Sequence, residues 1–317
     1  MKTLFVMDPL DRIHVSGDST YMMMLEARRR GWPIAFCTPT DLYAQGGRAH
    51  GRVQDVHVTT EAPHFFPEPA READLGEFDV VWMRKDPPFD MDYIFTTYLL
   101  DLVPPTTHVL NHPASIRSAN EKMFAQQWPE LGPPTFVTND VARAMAFVQG
   151  TGWDKVVLKP WDGNGGRGVL VTHPRDANLR SMLEILTGEG LNYILIQRYI
   201  PEIKQGDKRI ILIDGEPVGW MLRVPGEGDH RGNMHVGASV VACELSDADR
   251  RACDAIAPAL KRMGLLFVGI DMIGDYMTEI NVTSPTGIQE INRLMGLQLE
   301  RTLTDAVVEH VQRSNAT

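Results

Sequence analysis

Cysteine is scarce in this sequence and long hydrophobic runs are absent, and both facts exclude whole classes of protein. The 317 residues include only three cysteines, Cys37, Cys243 and Cys253, which form neither a metal-type pair nor an even disulfide framework. The longest nearly apolar run, MGLLFVGIDMI, is too short to span a bilayer and contains Asp271. The first residues lack the basic and apolar regions of a secretory signal. We therefore expect a reduced, cytoplasmic protein that has no membrane partner.

Positive charge is also in short supply. The chain has 31 lysines and arginines against 41 aspartates and glutamates, which gives a formal net charge of −10 at pH 7. We do not expect such an acidic chain to bind nucleic acid, so anionic ligands would need cations that are gathered locally. The composition, with 43% hydrophobic and 23% charged residues, is otherwise ordinary for a globular protein, and the length allows two or three domains.

The first part of the chain alternates between strand-like and helix-like segments. LFVM, PIAFCT, DVVWM and HVLN are apolar runs typical of buried strands. A helix through TYMMMLEARRR, capped by Asp18 or Ser19, lies between the first two strands, and another is expected from residue 90 to about residue 102. This alternation predicts an open, mainly parallel α/β sheet of the Rossmann-like kind over about residues 1–118.

Charged residues follow the third of these strands. Arg84, Lys85 and Asp86 stand at its carboxyl end, where such sheets bind ligands, although a solvated loop would have the same composition. Further along, a helix is expected from Ile116 to about Trp128, and it would carry Lys122 on its surface. On its own, a lysine on a helix surface indicates nothing more than solvation.

A glycine-rich loop interrupts the next unit, about residues 133–200, in which we expect four strands and two helices. The loop DGNGGRG, residues 162–168, fits the G-x-G-x-x-G pattern, but the β-type segment GVLVT follows it instead of the helix of a dinucleotide-binding fold. The Walker pattern is absent, and a protein kinase is disfavoured because Lys159 precedes the loop and neither H-R-D nor D-F-G occurs. Backbone N–H groups of such a flap can close over phosphates. Since Lys159 lies in the apolar run VVLK, an anionic partner best explains its charge.

The last unit, from about residue 201, concentrates positive charge. Four basic residues lie on or near two predicted strands, and they are Lys208, Arg209, Arg223 and Arg231. Arginines suit carboxylate or phosphate oxygens, although scattered surface charge remains the alternative. Residues 225–237 are rich in glycine and polar residues, as in a mobile lid. His230 and His235 within that segment are expected on the lid surface and not as catalytic bases. A helix over 246–263 and another over about 290–312 complete the unit.

The segment from Leu266 to Asn292 reads as a β-hairpin with three oxygen ligands, Asp271, Glu279 and Asn281. A two-residue turn at Gly274-Asp275 would place Asp271 opposite Thr278. A three-residue loop that includes Tyr276 would instead place Asp271 opposite Glu279, and we expect this register because it separates polar from apolar side chains. The apolar face would then hold Val268, Ile270, Met272, Ile280 and Val282. The polar face predicts a Mg²⁺ site, with a solvated strand face as the alternative.

In these features the chain resembles the ATP-grasp ligases, and among them the bacterial glutathione synthetase family, over essentially its whole length. The matching stretches are VMDP, MRKDPPFD at 83–90, NEK at 120–122, LKPWDGNGGRG at 158–168, GDKRIILIDGEPV at 206–218, RGN at 231–233 and FVGIDMIGDYMTEINVTSPTGI at 267–288. The resemblance implies three domains, over 1–118, 119–200 and 201–317, with ATP between the second and third. It also implies a homo-oligomer, commonly a tetramer.

The resemblance further implies roles for individual residues. Contacts to the ATP phosphates and adenine would come from Lys122, Lys159 and the flap residues Asp162, Gly163, Asn164, Gly165, Gly166 and Gly168. The base would be edged by Gln197, Tyr199 and Ile200, and Asp207 would lie near the ribose. Mg²⁺, for which Mn²⁺ can substitute, would bind to Asp271, Glu279 and Asn281. The reacting oxygens would face Arg209, Arg223 and Arg231, and the peptide substrate would contact Arg84 and Ser284.

The implied reaction joins γ-glutamylcysteine to glycine through an acyl phosphate, with release of ADP and phosphate. Two departures from the family pattern concern the acceptor: GASVV at 237–241, and Gln289 where the family often carries arginine. A related ligase with a different acceptor amine therefore stays open. A non-catalytic ATP-binding module and a kinase are the remaining alternatives.

Overall fold

Three β-sheets, each built from one continuous part of the chain, organise the protein in the computed structural model, which describes residues 1–163, 165–226 and 239–315. The predicted α/β class is confirmed. Each of the three predicted domains contains one of the sheets, while the domain limits themselves stay a prediction. Among the described residues, no helix is both long enough and apolar enough to cross a membrane.

The secondary structure alternates throughout the chain. The strands are β1 Thr3–Val6, β2 Ile34–Cys37, β3 Leu42–Gln45, β4 Arg48–Val58, β5 Phe65–Pro67, β6 Arg71–Asp74, β7 Val80–Met83, β8 His108–Leu110, β9 Thr135–Thr138, β10 Val156–Pro160, β11 Leu170–Thr172, β12 Ile194–Arg198, β13 Asp207–Ile213, β14 Glu216–Val224, β15 Ser239–Val241, β16 Phe267–Ile273 and β17 Tyr276–Asn281. The helices are α1 Ser19–Arg29, α2 Met91–Leu100, α3 Pro113–Ser118, α4 Val141–Gly150, α5 Leu179–Thr187, α6 Asp247–Arg262, α7 Ile288–Met295 and α8 Leu299–Asn315.

The first sheet has the predicted parallel centre and an antiparallel extension that the prediction missed. Its strand order is β3-β4-β2-β1-β7-β8, and the four strands from β2 to β8 in that order are parallel. β1, β2 and β7 are buried along their whole length, as expected for strands covered on both faces. The extension uses residues 42–74, where β4 alternates between buried and exposed side chains. That period of two was the available signal for the missed strands.

The predicted helix from Ile116 to about Trp128 is wrong. The chain forms the short helix α3, a turn, and then a 3₁₀ helix over Phe124–Gln127. Asn120 causes the break because its side-chain oxygen accepts hydrogen bonds from the backbone N–H groups of Lys122 (3.1 Å) and Met123 (3.0 Å). Such a local bond competes with the helical pattern. Lys122 therefore lies in a turn and is buried, whereas we expected it on a helix surface.

The predicted final helix over 290–312 is also two helices. α7 ends at Gly296, which adopts the left-handed conformation with φ 68° and allows the chain to turn before α8 begins. The side-chain oxygen of Asn292 accepts from the N–H of Leu299 at 2.8 Å and so joins the two helices across the break. Elsewhere the helix signals hold: Asp18 is the cap of α1, accepting from the Tyr21 N–H at 2.6 Å.

The second and third sheets are antiparallel. The second has the order β11-β10-β12-β9 and packs against α4 and α5 in a hydrophobic cluster of its own. The third has the order β15-β14-β13-β16-β17, with α6 on one face. Its other face, with α7 and α8, shares a hydrophobic cluster with α1 and the first sheet. Among the described residues, the first and third sheets therefore share a core, while the second sheet has a separate one.

Asn111 fastens the edge of the first sheet to the hairpin of β16 and β17. Its side-chain amide donates to the carbonyls of Phe267 and Val282, both at 2.8 Å, and accepts from the N–H of Phe267 at 2.9 Å. Both N–H groups of the buried amide and its oxygen are thus engaged in hydrogen bonds to the hairpin. The contact fixes where the end of β8 meets the elements that carry the site.

Candidate functional site

A cleft between the second and third sheets collects many of the predicted site residues. It encloses about 830 Å³, part of which is open to solvent. The predicted residues that line it are Lys159, Gly166, Gln197, Tyr199, Ile200, Asp207, Arg223, Asp271 and Glu279. Apolar side chains such as Val157, Val171 and Ile203 complete its walls. Apolar walls with a few converging charges are typical of small-molecule sites.

The hairpin has the predicted pairing of Asp271 with Glu279, but it reaches that pairing by a different turn. The predicted three-residue loop is wrong: Ile273 pairs with Tyr276, which leaves a two-residue turn, and Met272 pairs with Met277. A β-bulge at Thr278 then restores the register, and its hydroxyl donates to the Asp271 carbonyl at 3.1 Å. The predicted apolar face is buried in one cluster with Met277.

Two arginines hold the buried carboxylate of Asp271. Arg209 lies directly across the β13–β16 ladder and donates from Nε at 2.6 Å and from Nη2 at 3.0 Å, and Arg223 Nη2 lies 3.0 Å from Asp271 Oδ1. Burial alone would raise the pKa of Asp271, but the two guanidinium groups hold it well below its usual range. Asp271 is therefore an anion at any ordinary pH.

Asp207 binds Arg223 instead of pointing freely into the cleft. Arg223 donates to its two carboxylate oxygens at 2.8 and 2.7 Å, in the bidentate geometry that arginine favours. Burial raises the pKa of Asp207 even though Arg223 acts in the opposite direction. The structure thus places Asp207 in the cleft wall as the partner of a cation, and its contact with a ribose stays a prediction.

The donor set on the hairpin fits a magnesium ion. Asp271 and Glu279 face each other across the ladder, and the Asn281 amide lies 3.2 Å from Asp271 Oδ2. A half-turn of that amide would present its oxygen at the same place, and carboxylate and amide oxygens are the ligands that Mg²⁺ takes. Among the described residues, no group of three or more His, Cys, Asp or Glu side chains could hold a metal, so the Asn281 oxygen is needed as the third protein ligand.

Lys122 connects the glycine flap to the hairpin. Its buried ammonium donates to the Gly163 carbonyl at 2.5 Å and to the Glu121 carboxylate, and it lies 3.7 Å from Glu279. Burial lowers the pKa of Lys122, but the Glu279 and Glu121 charges outweigh that effect and raise it. Burial, with the Glu279 charge, raises the pKa of Glu121 to about 7. The sequence predicts no role for Glu121, although its position beside Lys122 in the NEK motif was the available signal.

Lys159, on β10, lines the cleft. Within the part of the chain that the structure describes, it forms no ion pair within 4.0 Å. Burial lowers the pKa of Lys159, against the influence of Glu279, because a charge withdrawn from water is costly. An anion in the cleft would supply the missing partner.

The flap requires its glycines. Gly165, Gly166 and Gly168 have φ values of 61°, 72° and 72°, which side chains other than glycine rarely adopt. At Gly163 a Cβ would lie 2.6 Å from the Pro160 side chain and 2.9 Å from a backbone carbonyl. At these glycines no side chain covers the backbone, which is what contact between backbone N–H groups and phosphates requires, and exposed Asp162 lies at the start of the flap.

Several predicted residues fall outside the described part of the chain. They are Asn164 of the flap, and Arg231, His230 and His235 of the predicted lid, of which only residues 225 and 226 are described. Of the 237–241 departure, residues 239–241 form β15 on the edge of the third sheet.

Arg84 and Ser284 lie together but apart from this cleft. The Ser284 hydroxyl is 3.5 Å from the Arg84 carbonyl, and Arg84 Nη2 donates to the Pro285 carbonyl at 3.0 Å. Lys85 binds the Asp8 carboxylate at 3.0 Å. The departure at Gln289 has a structural use, since its amide donates to the carbonyls ahead of α1, at Val15 (2.7 Å) and Asp18 (2.9 Å).

Comparison with known proteins identifies the family. Residues 1–117 match the prokaryotic glutathione synthetase N-terminal domain, and residues 121–296 match the prokaryotic glutathione synthetase ATP-grasp domain. A glutathione synthetase of Mesorhizobium japonicum is 42% identical over 97% of this chain and 98% of its own. Those of Pseudomonas syringae pv. tomato (44%, over 97% of each chain) and Vibrio vulnificus (41%, over 98% and 99%) are similarly related.

Solved structures agree on the fold. A D-cycloserine synthetase superposes with a TM-score of 0.68 at 14% identity, over 98% of this chain and 99% of its own. D-alanyl-alanine synthetase A from Vibrio cholerae gives 0.62 at 12% identity, over 98% and 99%. At such low identity the likeness concerns the fold alone. With the two family matches and the curated relatives, it follows that this chain belongs to the prokaryotic glutathione synthetase family and has the ATP-grasp fold.

Proposed function

We propose that this protein is an ATP-dependent ligase that joins γ-glutamylcysteine to glycine, giving glutathione, ADP and phosphate. The observation that carries the proposal is the meeting of three features at one cleft, in a chain of this family: Lys159, which has no ion pair among the described residues, a glycine flap, and the Asp271–Glu279 pair. A cleft with phosphate-binding groups on one wall and metal-binding oxygens on the other suits Mg-ATP.

In this proposal the nucleotide lies between the second and third sheets. Lys159 and Lys122 bind phosphate oxygens, and the flap closes over them with its backbone N–H groups. Gln197, Tyr199 and Ile200, which line the same cleft, edge the base. The main role of Asp207 is to orient Arg223, and contact with the ribose is its second role.

The chemistry needs charge neutralisation more than a nucleophilic side chain. The cysteinyl carboxylate of the peptide attacks the γ-phosphate of ATP, and the amine of glycine then displaces phosphate from the acyl phosphate. Because a carboxylate must approach a polyanion, in-line positioning and fixed positive charge supply the rate enhancement. Lys159 provides such charge, while Arg209 and Arg223, whose charges Asp271 and Asp207 balance, provide rigidly held N–H donors. Bound Mg²⁺, on Asp271, Glu279 and Asn281, would neutralise the phosphate oxygens.

A ligase of the same fold with another acceptor amine is the second candidate. Gln289 favours it, because an arginine there would add a cation that this chain lacks. The amide instead holds the segment before α1 in place. This difference concerns the acceptor and leaves the use of ATP unchanged.

The test of the proposed function measures ADP formation with Mg-ATP and γ-glutamylcysteine, with and without glycine, and identifies the product by mass. We expect ADP release to depend on glycine and to equal the glutathione formed. Another preferred amine in a panel of acceptors would identify the second candidate. Phosphate transferred to an acceptor would indicate a kinase, and bound ATP without turnover would indicate a binding module.

We further propose that the protein is a cytoplasmic homo-oligomer, in which the outer face of α2 contacts a second copy. That face exposes Met91, Phe95 and Tyr98 by 68%, 61% and 51%, with Leu102 just beyond the helix, at spacings of four, three and four residues. The inner face buries two threonines. A 4-3-4 spacing is the seam by which two like helices pack, and exposed aromatic residues of this size mark interfaces.

Charge also favours a second copy in an antiparallel arrangement. Exposed Asp92 lies at the start of α2, and Arg117 lies near its end, where it binds Asp101 at 2.6 Å and covers the Tyr98 ring at 4.3 Å. Two antiparallel copies of α2 would bring Asp92 of each toward Arg117 of the other and would oppose their helix dipoles favourably.

Phe95→Glu is expected to prevent the contact between the two α2 helices, because the glutamate charge would have to be buried in an apolar seam. The oligomer should then dissociate into the smaller species that lacks this contact. Light scattering after gel filtration measures the mass, and the thermal midpoint should change little because Phe95 is 61% exposed. Ile185→Glu is the matched control, since Ile185 is 78% exposed on α5. An unchanged mass for Phe95→Glu, or a monomeric parent protein, would rule out this interface.

A further inference from the structure

The turn of residues 120–122 lies between the flap and the hairpin that carries the proposed metal ligands. The Glu121 carbonyl accepts from the N–H of Ile280 at 2.9 Å, on β17 between two of those ligands. On the other side of the turn, the Asn120 amide donates to the Trp161 carbonyl at 3.2 Å, one residue before the flap. The backbone of Glu121 is therefore fixed against the strand of the metal site, while the residue before it reaches the flap.

The ammonium of Lys122 lies among three acceptors. It donates to the Glu121 carboxylate and to the Gly163 carbonyl, the latter at 2.5 Å. The Glu279 carboxylate is 3.7 Å away, which is close enough for electrostatic attraction but too far for a hydrogen bond. Because the lysine side chain is only 2% exposed, these protein groups and not water determine where the ammonium lies.

The charges around this ammonium are unequal in number. One cation faces two carboxylates, those of Glu121 and Glu279. Glu279 is also a proposed ligand of Mg²⁺, so Lys122 and the metal compete for its oxygens. A buried ammonium needs a charged partner, and with Glu279 alone beside it the lysine would form a direct ion pair there. Glu121 offers Lys122 a different partner.

The contact between Glu121 and Lys122 determines a position more than it stabilises the fold. The two residues are adjacent in the chain, so their ion pair closes no loop. It does decide where the ammonium nitrogen lies, and that nitrogen is the one that binds the flap at Gly163.

We propose that Glu121 is a positioning residue that acts through Lys122. By holding the ammonium beside Gly163, it keeps Lys122 on the flap and leaves the oxygens of Glu279 for the metal. One carboxylate, which is itself neither a metal ligand nor a phosphate contact, thus sets both the flap and the metal site. The inference rests on the proposed function in its use of Mg-ATP, and it does not depend on which amine the ligase accepts.

The test compares Glu121→Gln with Lys122→Met and with the double variant. In Glu121→Gln the lysine should move to Glu279, so the Mg²⁺ concentration that half-saturates ATP binding should rise about tenfold or more, and high Mg²⁺ should restore ATP affinity. In Lys122→Met no ammonium competes, so the Mg²⁺ requirement should not rise although ATP binds more weakly. The double variant should have the requirement of Lys122→Met, because Glu121 acts only through the lysine.

Isothermal titration with ATP over a Mg²⁺ series measures these values without turnover. It is done at about pH 8.5, where the Glu121 carboxyl is ionised, since burial and the Glu279 charge raise its pKa to about 7. Glu130→Gln is the matched control, because it removes a charge from an exposed position in the same segment between α3 and β9. It should keep the Mg²⁺ requirement of the parent protein.

Limited proteolysis gives a readout that needs neither nucleotide nor metal. Arg167 is exposed in the flap, and trypsin cleavage after it, identified by mass, follows how often the flap opens. Because Lys122 would leave Gly163 in Glu121→Gln, this cleavage should be about tenfold faster than in the parent protein. Glu130→Gln should be cleaved at the rate of the parent.

The proposal is overturned if Glu121→Gln has the Mg²⁺ requirement of the parent protein. It is equally overturned if the substitution raises that requirement as much in the Lys122→Met background, because the effect would then be one of charge alone. A parent protein that does not bind Mg-ATP would contradict the proposed function instead. Proteolysis would then decide: faster cleavage in Glu121→Gln supports the role of Glu121, and equal cleavage overturns it.

Discussion

Glu279→Gln is expected to reduce ligase turnover by about 10²–10³-fold, because one of the two carboxylates that face each other on the hairpin is replaced by a neutral amide. The loss should be largest at low Mg²⁺ and should recover in part as Mg²⁺ is raised, since a weakened metal site can be filled by mass action. Glycine-dependent ADP release across a Mg²⁺ series measures both effects. Folding should be little affected, because Glu279 is half-buried and the Lys122 ammonium, its ion-pair partner among the described residues, is 3.7 Å away.

Asp275→Asn is the matched control for this experiment. It removes the same charge from the exposed turn of the same hairpin, so it should leave both turnover and its Mg²⁺ dependence unchanged. If Glu279→Gln retained full turnover at limiting Mg²⁺, the metal site on the hairpin would be wrong. If both variants lost turnover equally, the loss would reflect the charge of the hairpin and not a ligand position.

Lys159→Met is expected to weaken ATP binding by about 10²-fold or more while making the ligand-free protein more stable. The two effects have one cause: burial lowers the pKa of Lys159, so the charged form is disfavoured until an anion binds. By linkage, a lysine with a lowered folded-state pKa costs stability in full below that pKa, and the cost disappears only above the pKa that the lysine has in the unfolded chain. Removing it should therefore raise the thermal midpoint without ATP and diminish the rise that ATP produces.

Thermal melts and titrations with ATP, with and without Mg²⁺, measure these changes. Lys155→Met provides the control, since Lys155 is exposed just before the same strand and lies over the Tyr199 ring at 5.6 Å. It should leave ATP affinity and stability close to those of the parent. Unaltered ATP affinity in Lys159→Met would remove Lys159 from the phosphate site, and a lowered midpoint would show that its side chain is satisfied within the protein.

The hairpin shows how far the sequence determines a site. Segregation of polar and apolar side chains was enough to predict that Asp271 and Glu279 share a face, because the other register would have placed a carboxylate among the apolar side chains. It was not enough to predict where the extra residue lies. A loop at Tyr276 and a bulge at Thr278 give the same register beyond that point, and only the backbone distinguishes them.

Other misses have equally local causes. The side chain of Asn120 accepts two backbone N–H groups and stops a helix whose composition would have let it continue. The strands over 42–74 carry many charged and polar residues, so their signal is alternation alone and not apolar length.

The partners of charged groups were the hardest to predict. The capture of Asp271 by Arg209 and Arg223 depends on which strands pair, and β13 must lie between β14 and β16 for both arginines to reach one carboxylate. No spacing along the chain encodes these contacts.

The unequal sharing of the hydrophobic cores has a mechanical consequence. The first and third sheets share a hydrophobic cluster, and the second sheet has its own. The first and third sheets therefore form one rigid part, against which the second sheet can move. Among the described residues, polar links tie the second sheet to the rest of the chain: Asn120 donates to the Trp161 carbonyl just before the flap, Lys122 donates to the Gly163 carbonyl within it, and Arg198 donates to the Tyr276 hydroxyl at 2.6 Å. Because these links are polar, the second sheet can move away from the third without breaking a hydrophobic core. Nucleotide can then enter and leave the cleft at little cost to the stability of the fold.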